Sequence, residues 1–355
     1  MSNANSLQLP YDHVVIVVLE NHGFSEIMIP ANAPYINNTL AKEGVVITNA
    51  YGEQHPSQPN YLWLFSGSNQ GVCDDNHYWP TGQPGAVFGT PNLYTALESF
   101  FSPEQVTNFF GGYVDSGVEG EPVSDYYLDT HNYANRHVPW LAFKNINNNN
   151  PAGITKDFGT QFPPGPDYSS LPVVSFVIPG LNHDMHDYDS SGIGVTNSLT
   201  SAIAVSNGDS WLKANLDGYA QWAKDNNSLL IITFDEDSTS DWPTPVEWGG
   251  NGTEKNAWGM TAPTLGFNAG PNNNNGCPAD CNLATVSGPN QIAMIFYGAN
   301  LNCSGPFAVQ GAGVNNINLL RTIEDFYTLP KSGSQTILAT AAGLTDGPIT
   351  GIFNF

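Results

Sequence analysis

Three short runs of mostly apolar, largely β-branched residues each lead into residues that carry oxygen or imidazole. His13–Leu19 runs into Glu20-Asn21-His22, and Val173–Ile178 into a polar stretch that includes His183-Asp184-Met185-His186-Asp187. Leu229–Phe234 runs into Asp235-Glu236-Asp237. Runs this short and this continuously apolar read as central strands of a parallel sheet, buried on both faces. Val45–Tyr51 and Ile292–Tyr297 read as further strands. Helical stretches lie between them: Pro34 to Lys42, closed by Gly44; Asn92 to Phe100; Asp209 to Asp225, with Asp209 or Ser210 as N-cap; and residues 317–328, stopped by Pro330. The alternation predicts an α/β fold, a three-layer α/β/α sandwich around a largely parallel sheet. Open sheets of that kind place ligand sites at the C-terminal ends of their strands, where the polar clusters fall.

The strand at Val45–Tyr51 feeds a second informative stretch, Glu53 to Gly67, EQHPSQPNYLWLFSG. Pro59 suits the first turn of a helix, because its φ is already helical and its missing N–H has no intrahelical partner there. Ser57 then stands at or beside the N-cap. Its hydroxyl would share a spot with free backbone N–H groups and the positive end of the helix dipole, an arrangement that binds oxyanions such as phosphate.

The 355 residues suffice for one large α/β domain over 1–355. Its core is expected in about 11–60, 170–240 and 290–330, with loop-rich cap insertions at about 101–170 and 240–290. Residues 101–170 show no clear period, as expected of substrate-facing loops. The net charge of −23, with nine Lys and Arg, argues against nucleic-acid partners, which need clustered cations. It argues equally against an anionic membrane surface. No run approaches the roughly 18 apolar residues of a membrane span, and the early apolar run lacks the flanks of a signal peptide, so stable membrane anchoring is not expected. Cys73, Cys277, Cys281 and Cys303 are even in number and fall largely in one loop-rich region. That favours a secreted or periplasmic, oxidised protein with up to two disulfides, its leader absent from the sequence as given. Zinc on Cys277 and Cys281 is the rival, although no second close pair or nearby His completes such a site.

Carboxylate, amide and hydroxyl oxygens gathered at one sheet edge suit Mg²⁺, Mn²⁺ or Ca²⁺, and the imidazoles would also suit Zn²⁺. A Ser-His-Asp acyl-transfer site is the competing constellation. It lacks the G-x-S-x-G elbow and leaves Glu20-Asn21 and Asp235-Glu236 without a role. His22, His77, His131 and His137 read as surface or loop histidines.

The ordered motifs LENHGFSEI, HPSQPNYLWLFSG, DMHD, LLIITFDED and LLRTIEDFY resemble those of the phosphoesterase family of acid phosphatases, phosphatidylinositol-3-phosphatases and phospholipases C, over about residues 13–330. The resemblance implies an alkaline-phosphatase-like fold and a phosphomonoesterase acting on a small phosphorylated substrate or phospholipid headgroup. It implies Ser57 as nucleophile and one divalent metal held by Glu20, Asn21, Asp235 and Glu236, with Ser57 at or near it. It further implies that His55, Asn60 and His186 handle phosphoryl oxygens and leaving group, with Asp184 beside them. Two positions depart from the family pattern. His183 stands where Asn is usual, and Asn316 replaces a His that would face substrate; His183 is expected to compensate in part. Because imidazolium is charged below about pH 6.5, an acid optimum is expected. A phospholipase C-type phosphodiesterase is the alternative within enzymes, and a catalytically silent, metal-retaining binding protein the alternative outside them.

Overall fold

The apolar runs assemble into one nine-stranded sheet. Its strands are β1 (His13–Leu19), β2 (Val45–Tyr51), β3 (Phe110–Val114), β4 (Thr155–Asp157), β5 (Val174–Ile178), β6 (Ser228–Phe234), β7 (Gln291–Gly298), β8 (Gly305–Phe307) and β9 (Val314–Asn315). They lie in the order β4-β3-β5-β1-β6-β7-β2-β8, with β9 also paired to β2. The computed structural model describes residues 9–72, 75, 87–101, 108–115, 134–147, 153–186, 198–238, 290–311, 313–333 and 346–355.

Every pairing is parallel except those of β7, which runs antiparallel to both β6 and β2. Two successive reversals leave β2 pointing the same way as β6 and β1. The C-terminal ends of β1, β2, β5 and β6 therefore share one edge. Register sharpens this: Leu19 pairs with Phe234, so Glu20 and Asp235 emerge side by side. The central strands are buried along almost their whole length, as their uninterrupted apolar sequences require.

Two features depart from the sequence reading. The region 101–170 contributes two strands, β3 and β4, to the main sheet instead of consisting only of cap loops. Its strand signal is weak because β3 carries Gly111-Gly112, and Gly is depleted in strands. The glycine is required there: a Cβ on Gly112 would fall 2.2 Å from the Trp140 ring. The helix expected from Asp209 begins at Ser198. Asp209 lies inside it and caps a different helix, accepting from the backbone N–H of Tyr35 (2.9 Å) and Ile36 (2.8 Å). Cys303 is half-buried, and no disulfide occurs among the described residues; Cys73, Cys277 and Cys281 lie outside them, as does the expected insertion at 240–289. No helix among the described residues is long and apolar enough to cross a membrane.

The loop from β2 to the Ser57–Ser66 helix is tied to the helix Asn316–Phe326 by one buried carboxyl. Glu53 Oε1 accepts the N–H of Ile317 (2.9 Å) at that helix's N-terminus, where negative charge is favoured. Glu53 Oε2 has no hydrogen-bond donor among the described residues. Burial outweighs these bonds and pushes the carboxyl up to about 8. The folded chain thus keeps a proton that an unfolded glutamate gives up near 4.5. The corresponding stability is present below about pH 4.5 and is lost as pH rises towards 8. Replacement Glu53→Gln keeps an acceptor for Ile317 and removes the titration. Its unfolding free energy relative to the parent, measured in urea, should rise steadily between pH 5 and pH 8; a pH-independent difference would refute the assignment.

Candidate active site

Ser57 is the first residue of its helix, with Pro56 as N-cap, and the His55–Pro56 peptide is cis. The loop before it is held by paired amides. Asn60 Oδ1 accepts from Gln54 N (3.0 Å), while Asn60 Nδ2 donates to Gln54 O (2.7 Å) and Pro56 O (3.3 Å). Trp63 Nε1 donates to the Gln54 side chain (2.9 Å). The helix ends at Gly67, whose φ of +62° suits glycine and whose missing Cβ admits Ser332 O. Every residue from Ser57 to Ser66 is buried. The hydroxyl is therefore fixed by backbone and core, not by a mobile loop.

Ser57 Oγ lies 3.0 Å from Glu20 Oε2 and 3.1 Å from Glu236 Oε1. A hydroxyl has one proton to donate, so it satisfies one of these two carboxylates at a time. Asp235 sits beside them, its Oδ1 accepting the N–H of Asn21 (3.0 Å). Asn21 has a positive φ of 52°, which Asn tolerates better than most residues, and this turns the chain sharply at the end of β1. Its amide lies 3.0 Å from His186 Nε2. The β5 loop is pinned alongside, with Asp184 O accepting from Glu20 N (2.7 Å) and Asp184 Oδ1 from His186 N (3.0 Å). The structure thus brings Glu20, Asn21, Ser57, Asp184, His186, Asp235 and Glu236 to one place, from four separate elements.

His55 Nδ1 lies 2.7 Å from Glu236 Oε2 and Nε2 lies 3.2 Å from Asp237 Oδ1. Asn60 Nδ2 reaches the same Glu236 oxygen at 3.4 Å. His183 and Asn316 stand elsewhere. His183 pairs with Asp115 just after β3 (Nδ1–Oδ2 3.1 Å) and stacks on Trp211. That is two strand positions from β1, about 10 Å. The amide of Asn316, expected to face substrate, is taken up by Thr233 Oγ1 (2.9 Å) and Phe234 O (2.9 Å), bracing the end of β6.

Electrostatics sets the character of the site. Burial, reinforced by the charges of Asp184 and Glu236, pushes Glu20 far above the usual carboxylate range. Burial and the charges of Glu20 and Glu236 do the same to Asp235. Burial raises Glu236 as well, against the lowering effect of His55. Burial disfavours a charged His55, but the bonds and charges of Asp237 and Glu236 outweigh it and lift the imidazole to about 10. Arg136, half-buried, adds positive potential at Glu20.

Such a cluster of mutually repelling carboxyls calls for protons or for a cation. Among the described residues no three His, Cys, Asp or Glu side chains converge as a preformed metal cage. The expected donor set, however, includes an amide and a hydroxyl. Two of its acceptors, Asn21 Oδ1 and Asp235 Oδ2, are buried with no hydrogen-bond donor among the described residues. Orphaned acceptors among carboxylates suit a hard divalent ion. The anion cradle at the helix start is partly filled by the chain itself, since Gln58 N donates to Asp75 Oδ1 (2.9 Å).

Two of the histidines read as surface or loop residues belong elsewhere. His22 is buried, with Nδ1 3.4 Å from Glu20 O. His137 is buried with Nε2 3.2 Å from Glu20 Oε1, and burial, aided by Arg136 and His186, holds it well below the ordinary histidine range. His77 and His131 lie outside the described residues. Tyr61, read as part of an apolar run, donates its O–H to Glu20 Oε1. It stands one helical turn after Ser57, a spacing that puts both on one face. His137 offers no such signal, because it comes from the region without a readable period.

Comparison with known proteins shows the family to which the chain belongs. The chain is 32% identical over 326 residues to a phosphatidylinositol-3-phosphatase of Mycobacterium tuberculosis, covering 92% of this chain and 80% of the relative. It is 28% identical over 247 residues to a phosphate-repressible acid phosphatase of Penicillium chrysogenum, covering 68% of this chain and 52% of that protein. Among solved structures it is similar to an alkaline phosphatase superfamily protein from Vibrio parahaemolyticus, with a TM-score of 0.47 at 12% identity over 92% of this chain and 69% of that one. Residues 28–330 match the profile of the Phosphoesterase family, so the chain belongs to that family and is a phosphoric ester hydrolase.

Proposed function

We propose that the chain hydrolyses small phosphate monoesters with Ser57 as nucleophile, in a site whose carboxylates hold one divalent cation. The observation that carries this reading is the position of Ser57 Oγ between Glu20 Oε2 and Glu236 Oε1, at the first residue of a buried helix. Glu20, Asn21, Asp235 and Glu236 would hold the cation with Ser57 at its edge. When bound, such an ion lowers the pKa of a nearby hydroxyl and offsets charge on phosphoryl oxygens.

The remaining steps belong to the chain's own residues. One of the flanking carboxylates takes the Ser57 proton. The oxygen then attacks phosphorus in line, and the bond to the leaving alcohol breaks as the Oγ–P bond forms. His186, against Asn21, is placed to protonate the departing alkoxide, and water later hydrolyses the phosphoseryl ester. His55, held between Glu236 and Asp237, and Arg136 supply fixed positive charge. The names of the relatives, a phosphatidylinositol-3-phosphatase and acid phosphatases, support a monoester substrate. The even cysteine count leads us to place the protein outside the cytoplasm. Turnover of p-nitrophenyl phosphate but not p-nitrophenylphosphorylcholine, with loss on adding EDTA, is expected. Diester turnover would favour a phospholipase C-type enzyme, and no turnover a binding protein.

Ser57→Ala should abolish turnover and leave the fold intact, within the roughly 1–2 kcal/mol of a buried hydrogen bond. A folded variant that keeps more than a trace of phosphatase activity rules Ser57 out as nucleophile.

Glu20→Ala and Asp235→Ala should each lose bound metal together with rate, because the two carboxylates come from different strands and neither can replace the other. Elemental analysis of the folded variants checks this; full occupancy in both would sink the ligand assignment.

A further inference from the structure

Glu20 is engaged at both of its oxygens, by different partners. Oε2 faces Ser57 at 3.0 Å, while Oε1 accepts the Tyr61 hydroxyl and lies 3.2 Å from His137 Nε2. The Tyr61 and His137 rings stack at 5.0 Å with planes 8° apart, and all three side chains are buried. Tyr61 comes from the Ser57 helix, and His137 from the short 3₁₀ turn Asn135–His137. Two unconnected segments thus converge on the one carboxylate oxygen that Ser57 does not use.

We propose that Tyr61 and His137 are positioning residues that claim Glu20 Oε1 and so leave Oε2 as the single oxygen presented to Ser57 and the cation. The proposal rests on the reading of Glu20 as a cation ligand and deepens it. A carboxylate on the end of a strand can rotate about its terminal torsion, which is broad and roughly two-fold. If both oxygens were free, Glu20 could chelate the ion or swing away from the serine. The Tyr61 hydroxyl stops that rotation from one side. His137 Nε2 stands close to the same oxygen without an aligned hydrogen bond, and its ring lies flat against Tyr61. Partners of this kind, which touch a ligand and not the ion, typically tune metal affinity or activity by about 10–100-fold.

The competing explanation is that Tyr61 and His137 only fill the core, in which case their replacement shifts melting temperature and nothing else. Metal-stripped protein titrated with Mn²⁺ in a calorimeter separates the two, with melting of the stripped protein recorded alongside. Tyr61→Phe removes one hydroxyl and keeps the ring stack. It should weaken Mn²⁺ binding by about 10-fold or more and lower kcat with KM little changed. His137→Leu should weaken binding in the same range, and His137→Gln, whose Nε2 can stand near the imidazole Nε2, should recover most of it. Because both side chains act on one oxygen, the double variant should lose less than the product of the single losses. If Tyr61→Phe and His137→Leu bind Mn²⁺ as the parent does while Glu20→Gln is weakened, the positioning role is wrong and the ligand reading stands. If the parent takes no Mn²⁺, or Glu20→Gln binds as the parent does, the ligand reading fails and the proposal with it. Should His137→Leu not fold, Tyr61→Phe and His137→Gln decide the matter alone.

Discussion

Mutual repulsion among buried carboxyl groups is the constraint around which this molecule is arranged. Glu20, Asp184, Asp235 and Glu236 are all buried, and three of them are driven towards their neutral forms by burial and by one another. Desolvated like charges are among the costliest arrangements in a protein interior. The surroundings reduce the cost without removing it: backbone N–H of Asn21 on Asp235, the Tyr61 hydroxyl on Glu20, and a cationic His55 on Glu236. These donors leave Asp235 Oδ2 and Asn21 Oδ1 buried without a hydrogen-bond donor among the described residues. The features that make the cluster unstable in isolation are the ones on which the proposed cation site rests.

The sheet imposes this cluster by register. Leu19 and Phe234 are paired, and a one-residue slip of β6 against β1 would send every buried side chain of a strand to the other face. Because both strands are buried throughout, the core fixes that register, and the carboxylates at the strand ends inherit it. Ser57 is placed by a different route. Its helix is immersed along its length, terminates at a glycine that no other residue fits, and is anchored through Glu53 to the N-terminus of the Asn316–Phe326 helix. Core packing therefore supplies the positional accuracy that the chemistry needs.

Much of this was legible in the sequence because it depends on short-range signals. Continuous apolar runs named β1, β5 and β6, and the polar residues following them named Glu20, Asn21, Asp235 and Glu236. The Ser-x-Pro start named Ser57. What escaped depended on contacts distant in sequence. Gly111-Gly112 hid β3, because the room they leave is filled from other segments, by Pro172 at Gly111 and by Trp140 at Gly112. Asp209 was misread as a local cap because its partners, Tyr35 and Ile36, lie far earlier in the chain. His137 reaches Glu20 from a region with no readable period, and Asn316 turned out to brace β6 through Thr233 and Phe234.

The histidines show why residue type alone does not assign a role. His55 is held between Glu236 and Asp237 and stays cationic to about pH 10, so it works as fixed charge and does not switch between pH 5 and 8. His137 is driven the other way by burial and by Arg136, and acts as a neutral ring against Tyr61. His183 is engaged by Asp115 and Trp211, two strand positions from β1. His186, beside Asn21 and on the loop that also carries Asp184, is the imidazole we propose for proton transfer at the site. The same residue type is pushed in opposite directions within one site: carboxylates packed against His55 outweigh its burial, whereas at His137 burial dominates.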